Sequence, residues 1–346
     1  LPIFIVEVMG GITPSKEYIF SALEHGLSVV SANKDLVALY GPDIIHKAIE
    51  NHVNFSCEAS VGGGIPILMP LHQSLAANQI ESIVGILNGT TNYILSQMTE
   101  TGVNYANALA DAQKQGFAEA DPTNDVCGFD AARKLAILSS IGFRANVTFD
   151  DVLVEGIEKI DKSDIQYAKD MGYTIKLLTV ALRQENGIAL NVYPAFLPDN
   201  HPLSSVKGAY NAIYVTGNIV DDVMFYGRGA GALPTASAVM GDVISTAQHI
   251  LNGSTGTGMI MTDTKRIPFY SSLKLQNSYY FRLDVDDVTG VLSQIAAAFA
   301  ENDISICEVV QKRKTKGLAE LVLITELASR ESILQVEKAL QVLPCM

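Results

Sequence analysis

The sequence predicts an α/β protein with a parallel β-α-β segment at 1–57, a mixed α+β body at 58–270 and a compact βαββα module at 279–346. Three observations carry this. A short apolar run, a helical pattern and a second apolar run open the chain, an order that calls for a crossover between parallel strands. Glycine-rich loops then run into helical patterns through the middle. A polar, turn-rich stretch at 252–278 separates that body from a fresh start of periodicity.

Taken in order, Ile3–Val8 reads as a buried strand closed by Gly10 and Gly11, with Pro14 in the first turn of a helix. Ile19, Ala22 and Leu23 give that helix its apolar face, and Gly26 stops it. Leu27–Val30 is the next strand, Pro42–Asn51 a helix, and Val53–Cys57 a short strand. The opening strand needs neighbours, so a further segment is expected before Leu1. In the body, helices are expected at Met69–Asn78, Tyr93–Thr99, Tyr105–Gln115, Asp125–Ile141 and Pro234–Asn252. Strands are expected at Ile80–Leu87, Ile188–Ala195 and Ala212–Thr216. The last module reads as strand Tyr279–Asp284, helix Gly290–Asn302, strands Ile304–Gln311 and Leu318–Leu327 about the basic turn KRKTKG, and helix Arg330–Leu340.

Composition narrows the function. With 346 residues, 48% hydrophobic and 18% charged, the chain can bury a core and form two or three domains. A net charge of −13 argues against nucleic acid and anionic membranes as partners, yet allows a small anionic cofactor. Cys57, Cys127, Cys307 and Cys345 form no CxxC pair and read as reduced thiols. The six histidines lack metal-ligand spacing. No apolar run reaches the ~18 residues of a membrane span, and LPIFIVEVM lacks the basic start of a signal peptide. A cytoplasmic enzyme is expected.

The chemistry concentrates in GFAEADPTNDVCGFDAARKLAIL (116–138). Asp130 and Lys134 are four apart and share a helix face, with Glu119 and Asp121 in the preceding loop. Spacing alone equally describes a surface ion pair beside an acidic loop. SANKDLVA (31–38) follows the carboxyl end of a parallel strand, where open α/β sheets place ligands. CEASVGGGIP (57–66), GILNGTTNYIL (85–95) and YGRGAGALPTASAV (226–239) are glycine-bearing turns next to helical patterns.

Together these strings resemble the homoserine dehydrogenase family across essentially the whole chain. DVDDVTGVLSQIAAAFAENDISI (284–306) resembles an ACT domain. The resemblance implies a partial Rossmann-like sheet, a catalytic and dimerisation domain, and a ferredoxin-like βαββα(β) regulatory domain. It implies NAD(P)-dependent hydride transfer between L-aspartate 4-semialdehyde and L-homoserine, on the route to threonine, methionine and isoleucine. Lys134 is implied as proton donor, with Lys34 sharing the acid–base role. Glu119, Asp130, Asp125, Gly89 and Thr90 are implied to bind substrate; Ser31, Lys34, Gly116, Gly229 and Gly231 to bind the cofactor, NADP or else NAD.

A monovalent cation such as Na+ is implied at the Glu58 side chain and the carbonyls of Val61, Gly63 and Ile65. A homodimer or homotetramer is implied, with an amino-acid effector near Asp287 and Gly290. Phe117 stands where some relatives carry tyrosine. By the same resemblance the expected upstream segment is on the order of 60–80 residues and carries the phosphate-binding turn, without which cofactor binding is expected to be weak. Two further readings remain: the dehydrogenase part of an aspartokinase fusion, which the C-terminal place of the ACT-like module disfavours, and a non-catalytic amino-acid sensor, which has no need of all four of Lys34, Glu119, Asp130 and Lys134.

Overall fold

A computed structural model describes residues 3–256, 267–313 and 317–345. The chain divides into two compact units, Leu1–Phe269 and Tyr270–Met346.

The first unit opens with β1 (Phe4–Glu7), α1 (Ser15–Glu24), β2 (Ser28–Ser31), α2 (Lys34–Glu50) and β3 (Phe55–Ser56). β1 and β3 both pair with β2 in parallel, the topology the β-α-β pattern predicts. In the given chain β1 stands at one end of this order, with Val6 and Val8 exposed, whereas Val29 and Val30 of β2 are fully covered. α2 starts at Lys34, well before the expected Pro42, and passes through that proline. Two local features allow this. Asn33 caps the helix by accepting from Leu36 N at 3.1 Å. Gly41, having no Cβ, removes part of the clash a proline imposes on the residue before it.

The body continues with β4 (Ile80–Ile86), α3 (Gly89–Thr101), α4 (Tyr105–Lys114), α5 (Thr123–Val126), α6 (Phe129–Gly142), β5 (Leu153–Val154) and α7 (Lys162–Asp170). It closes with β6 (Tyr173–Gln184), β7 (Gly187–Pro198), β8 (Tyr210–Gly217), β9 (Asp221–Arg228) and α8 (Ala232–Leu251). Six strands form one sheet in the order β5-β7-β6-β4-β8-β9. Its pairings are antiparallel except β5 with β7. Strand β6 escapes the sequence reading because a run apolar at consecutive positions has no period to distinguish strand from buried helix. The expected helix at Met69–Asn78 is a short π-helical turn, Pro70–Ser74.

One expected helix, Asp125–Ile141, is two. Gly128 sits at φ +84° between α5 and α6, and a Cβ there would lie 3.0 Å from Val154 Cγ1 and 3.1 Å from Val192 Cγ1. Helix α6 is buried almost all round and packs on α2 and on β4, β6 and β7. It thus joins the parallel sheet's helix to the six-stranded sheet.

The second unit adds β10 (Gln276–Asn277), β11 (Tyr280–Asp286), α9 (Val291–Ala300), β12 (Ile306–Arg313), β13 (Leu318–Thr325), β14 (Ala328–Ser329) and α10 (Arg330–Gln341). Strands run β11-β13-β12, both pairings antiparallel, and β10 pairs with β14. Phe299 and Ile295 of α9, Val336 of α10 and Leu323 of β13 form its separate core. The 252–278 stretch and the KRKTKG turn lie partly outside the described residues.

Gly128→Ala is expected to lower stability by about 1–3 kcal/mol, the cost of a left-handed backbone plus the crowding of two valines. Urea denaturation measures it; an unchanged midpoint would show that the α5–α6 break tolerates a side chain.

Candidate active site

Helix α6 brings two charged side chains into the interior because its N-terminal turn faces the carboxyl end of the parallel sheet. Asp130 stands in the first turn, where the helix dipole favours an anion. Its carboxylate is shared. Oδ1 lies 2.5 Å from Lys34 Nζ, and Oδ2 lies 2.6 Å from Lys134 Nζ and accepts Asn88 Nδ2 at 3.0 Å. The oxygen of the same amide, Asn88 Oδ1, caps α3 by accepting from Thr91 N at 2.9 Å. Asn88 Nδ2 also donates to Asp125 Oδ1 at 2.7 Å. One amide therefore ties both acids to the start of α3.

The side chain of Asp130 is 4% exposed, that of Lys134 11% and that of Lys34 38%. Burial disfavours charge on Asp130, but Lys134 and then Lys34 outweigh it and hold the carboxyl well below the usual carboxylate range. Burial pulls the Lys34 ammonium down, and Asp130, helped by Asp35 and Asp125, pushes it above its ordinary value. Lys134 also donates to Leu87 O at 3.0 Å, at the end of β4. An ammonium has three N–H groups. Two of Lys134's are used, and the third has no protein partner among the described residues.

The flanking residues converge from three directions. Gly89 and Thr90 open α3, and Thr90 Oγ1 donates to Phe117 O at 2.5 Å, which fastens the loop holding Gly116. The Phe117 ring packs on Tyr93, centroids 4.6 Å apart. Ser31 is buried at the end of β2, where it donates to Glu7 Oε2 at 2.7 Å and accepts from Asn33 N at 3.1 Å. On the far side, Gly229 passes so close to Gly63 that a Cβ on Gly63 would lie 2.5 Å from Gly229 O. Gly231 is the N-cap of α8, whose first N–H groups lack a side-chain cap.

Glu119 stands apart from this cluster. It is exposed in the 116–122 loop, with its backbone carbonyl accepting Gln113 Nε2 at 3.0 Å. Glu58 also departs from expectation. Its carboxylate accepts from Ile67 N at 2.5 Å, Leu68 N at 2.8 Å and Met69 N at 2.8 Å. It is thus an anionic cap on the backbone after Pro66, and a cation fits poorly on a carboxylate already taken by three donors. Asp242 of α8 accepts from Glu58 N at 2.8 Å, and burial lifts its carboxyl to about 7 against that bond.

Asn88 and Glu7 carry no expectation from the sequence. Asn88 left one faint signal, a capping residue just before Gly-Thr-Thr. Glu7 left none, since its partners Ser31, Met9 N and Gly10 N meet it only in the folded sheet end.

The family model described as homoserine dehydrogenase matches residues 66–244, more than half of the chain. The chain belongs to the homoserine dehydrogenase family. Members interconvert L-aspartate 4-semialdehyde and L-homoserine with NAD(P), in amino-acid biosynthesis. The ACT domain model matches residues 279–345.

The homoserine dehydrogenase of Mycobacterium tuberculosis is 44% identical over 346 residues, covering 97% of this chain and 78% of that protein. That of Bacillus subtilis is 42% identical over 324 residues, covering 93% and 74%. Among solved structures, a homoserine dehydrogenase from Thiobacillus denitrificans superposes with a TM-score of 0.94 at 38% identity, covering 99% of this chain and 79% of that one. A hyperthermophilic archaeal homoserine dehydrogenase mutant, in complex with NADPH, superposes at 0.63 with 28% identity, covering 71% and 72%. Nothing in these comparisons favours a kinase fusion or a non-catalytic sensor.

The depressed Asp130 carboxyl has a consequence for stability. The stability its ion pairs contribute is fully present above the unfolded carboxylate value of about 4 and declines from there as pH falls toward the lower folded-state value. Asp130→Asn is expected to cost about 3–5 kcal/mol at pH 7, because it leaves two ammonium groups uncompensated, and to cost progressively less on acidification. Denaturant titrations of both proteins from pH 7 to pH 3 check this; a gap that stays constant would contradict it.

Proposed function

We propose that Lys134 is the proton donor in reduction of L-aspartate 4-semialdehyde to L-homoserine, and that Asp130, Asp125 and Glu119 recognise the substrate's ammonium end. The observation that carries this is the unpartnered third N–H of a nearly buried Lys134. As negative charge builds on the aldehyde oxygen, that N–H stabilises it and then transfers its proton. In the reverse direction the deprotonated nitrogen takes the hydroxyl proton. Lys34, the more exposed lysine, holds Asp130 from the cofactor side and shares the acid–base work.

The nicotinamide cofactor supplies the hydride when bound. Gly231 and the N-terminus of α8, whose first N–H groups have no side-chain cap, fit an anionic part of it. Ser31, Lys34, Gly116 and Gly229 complete our assignment of the cofactor side. NADP(H) is the preferred form in this reading, supported by the archaeal relative solved with NADPH, and NAD(H) is the alternative. The protein works in the cytoplasm, in keeping with free thiols at Cys57, Cys127, Cys307 and Cys345. It acts as a homodimer or homotetramer, and the ACT domain takes an amino acid at the turn formed by Asp287 and Gly290, where Gly290 caps α9 at φ +95°. No helix among the described residues is long and apolar enough to cross a membrane.

Lys134→Met is expected to lower kcat for homoserine oxidation by roughly 10²–10⁴-fold while cofactor affinity stays near that of the parent. Stopped-flow absorbance and cofactor fluorescence separate the two; an unchanged kcat removes Lys134 from this role. Glu119→Leu is expected to weaken homoserine more than cofactor in titration calorimetry. Equal weakening of both would argue for a folding defect in the 116–122 loop.

A further inference from the structure

Lys176, in the middle of β6, is among the largest fully buried side chains and is 2% exposed. Its hydrogen-bond acceptors are not carboxylates. Nζ donates to Asn92 Oδ1 at 2.9 Å and to Val206 O at 2.5 Å. Asn92 then donates through Nδ2 to the carbonyls of Val206 at 3.2 Å, Gly208 at 2.9 Å and Tyr210 at 3.0 Å. One turn along α3, Ser96 Oγ accepts from Gly208 N at 3.1 Å. Lysine and asparagine together fasten the 206–210 loop to one face of α3.

That loop forms a wall of the site. Ala209 O lies 3.0 Å from the Cβ that Gly89 lacks, and Asn211 Oδ1 lies 3.6 Å from it. Asn211 Nδ2 occupies the position a Cβ on Gly229 would take. The loop and the start of β8 are therefore fitted between Gly89 at the start of α3 and Gly229 after β9. Asn88, which binds Asp125 and Asp130, is four residues before Asn92 and starts the same helix.

We infer that Lys176 and Asn92 are positioning residues of the active site, fixing the start of α3 so that Asn88 holds Asp125 and Asp130 in one geometry toward the substrate's ammonium end. This rests on the homoserine reading above. Burying a cation without a carboxylate is costly. Burial, and then the Lys207 charge, lower the Lys176 ammonium to about 8, while Glu100, paired with Lys207 at 3.2 Å, acts the other way. The neutral amine keeps two N–H groups, enough for both acceptors, so the network persists through titration. What it supplies is a fixed loop position, and catalytic sites lose on the order of 10²-fold for an ångström of misplacement.

The test uses Lys176→Met, of similar length without donors, and Asn92→Asp, of the same size but unable to donate to three carbonyls. Each is assayed in the whole protein for kcat and for KM of homoserine and of the cofactor. Folding is checked by circular dichroism and a thermal melt. The expected result is a folded variant with KM for homoserine raised at least about tenfold, cofactor KM within about twofold, and kcat changed less than KM. A lower melting temperature with all three kinetic constants unchanged would overturn the inference, leaving a structural bond. Failure of both variants to fold would do the same. Parent turnover of homoserine is the control: without it the substrate reading itself fails, whereas an active parent with unaffected variants defeats the positioning claim alone.

Discussion

The site depends on one shared carboxylate. Asp130 lies between two ammonium groups that repel each other, and it is placed there by helix α6 on one side and by Lys34 at the start of α2 on the other. Burial alone would pull the Lys34 ammonium down. With Asp130 ionised between them, the Lys34 ammonium is pushed above its ordinary value, and Lys134 is held by Asp130 Oδ2 and Leu87 O, with its third N–H unpartnered among the described residues.

The surrounding structure follows from the need to hold that triad. Helix α6 can bury Asp130 and Lys134 because its other faces are apolar and covered by α2 and the six-stranded sheet. Gly128 makes the sharp entry that sets Asp130 in the first turn, where the dipole adds to the lysines. Asn88 serves as a hub: its oxygen caps α3 and its nitrogen reaches Asp125 and Asp130. At the opposite edge, Glu7 holds Ser31 and the turn after β1, keeping the carboxyl end of the parallel sheet open toward the same centre.

Much of this was legible in residue order. The i,i+4 spacing of Asp130 and Lys134, the placement of Ser31–Lys34 after a parallel strand, and the restart of periodicity near Tyr279 each correspond to local geometry that sequence encodes directly. Other features depend on partners far along the chain. Asn88 meets Asp130 across 42 residues and Lys176 meets Asn92 across 84, and no local pattern marks either. Pro42 suggests a helix start only if Gly41 is ignored, and apolar positions on both sides of Gly128 make α5 and α6 read as one helix. The bonds of Glu58 are hidden for a related reason: its partners are backbone N–H groups, which leave no trace in residue identity.

The most direct test of the shared carboxylate is a 13C NMR titration of the Lys34 Cε resonance, in the parent protein and in Asp130→Asn. Asp130 outweighs burial at this lysine, so the parent midpoint should lie above that of an ordinary lysine, about 10.4. In Asp130→Asn, burial and the neighbouring Lys134 should bring it below that value. A parent midpoint at or below the ordinary value, or one that does not move in the variant, would contradict the account.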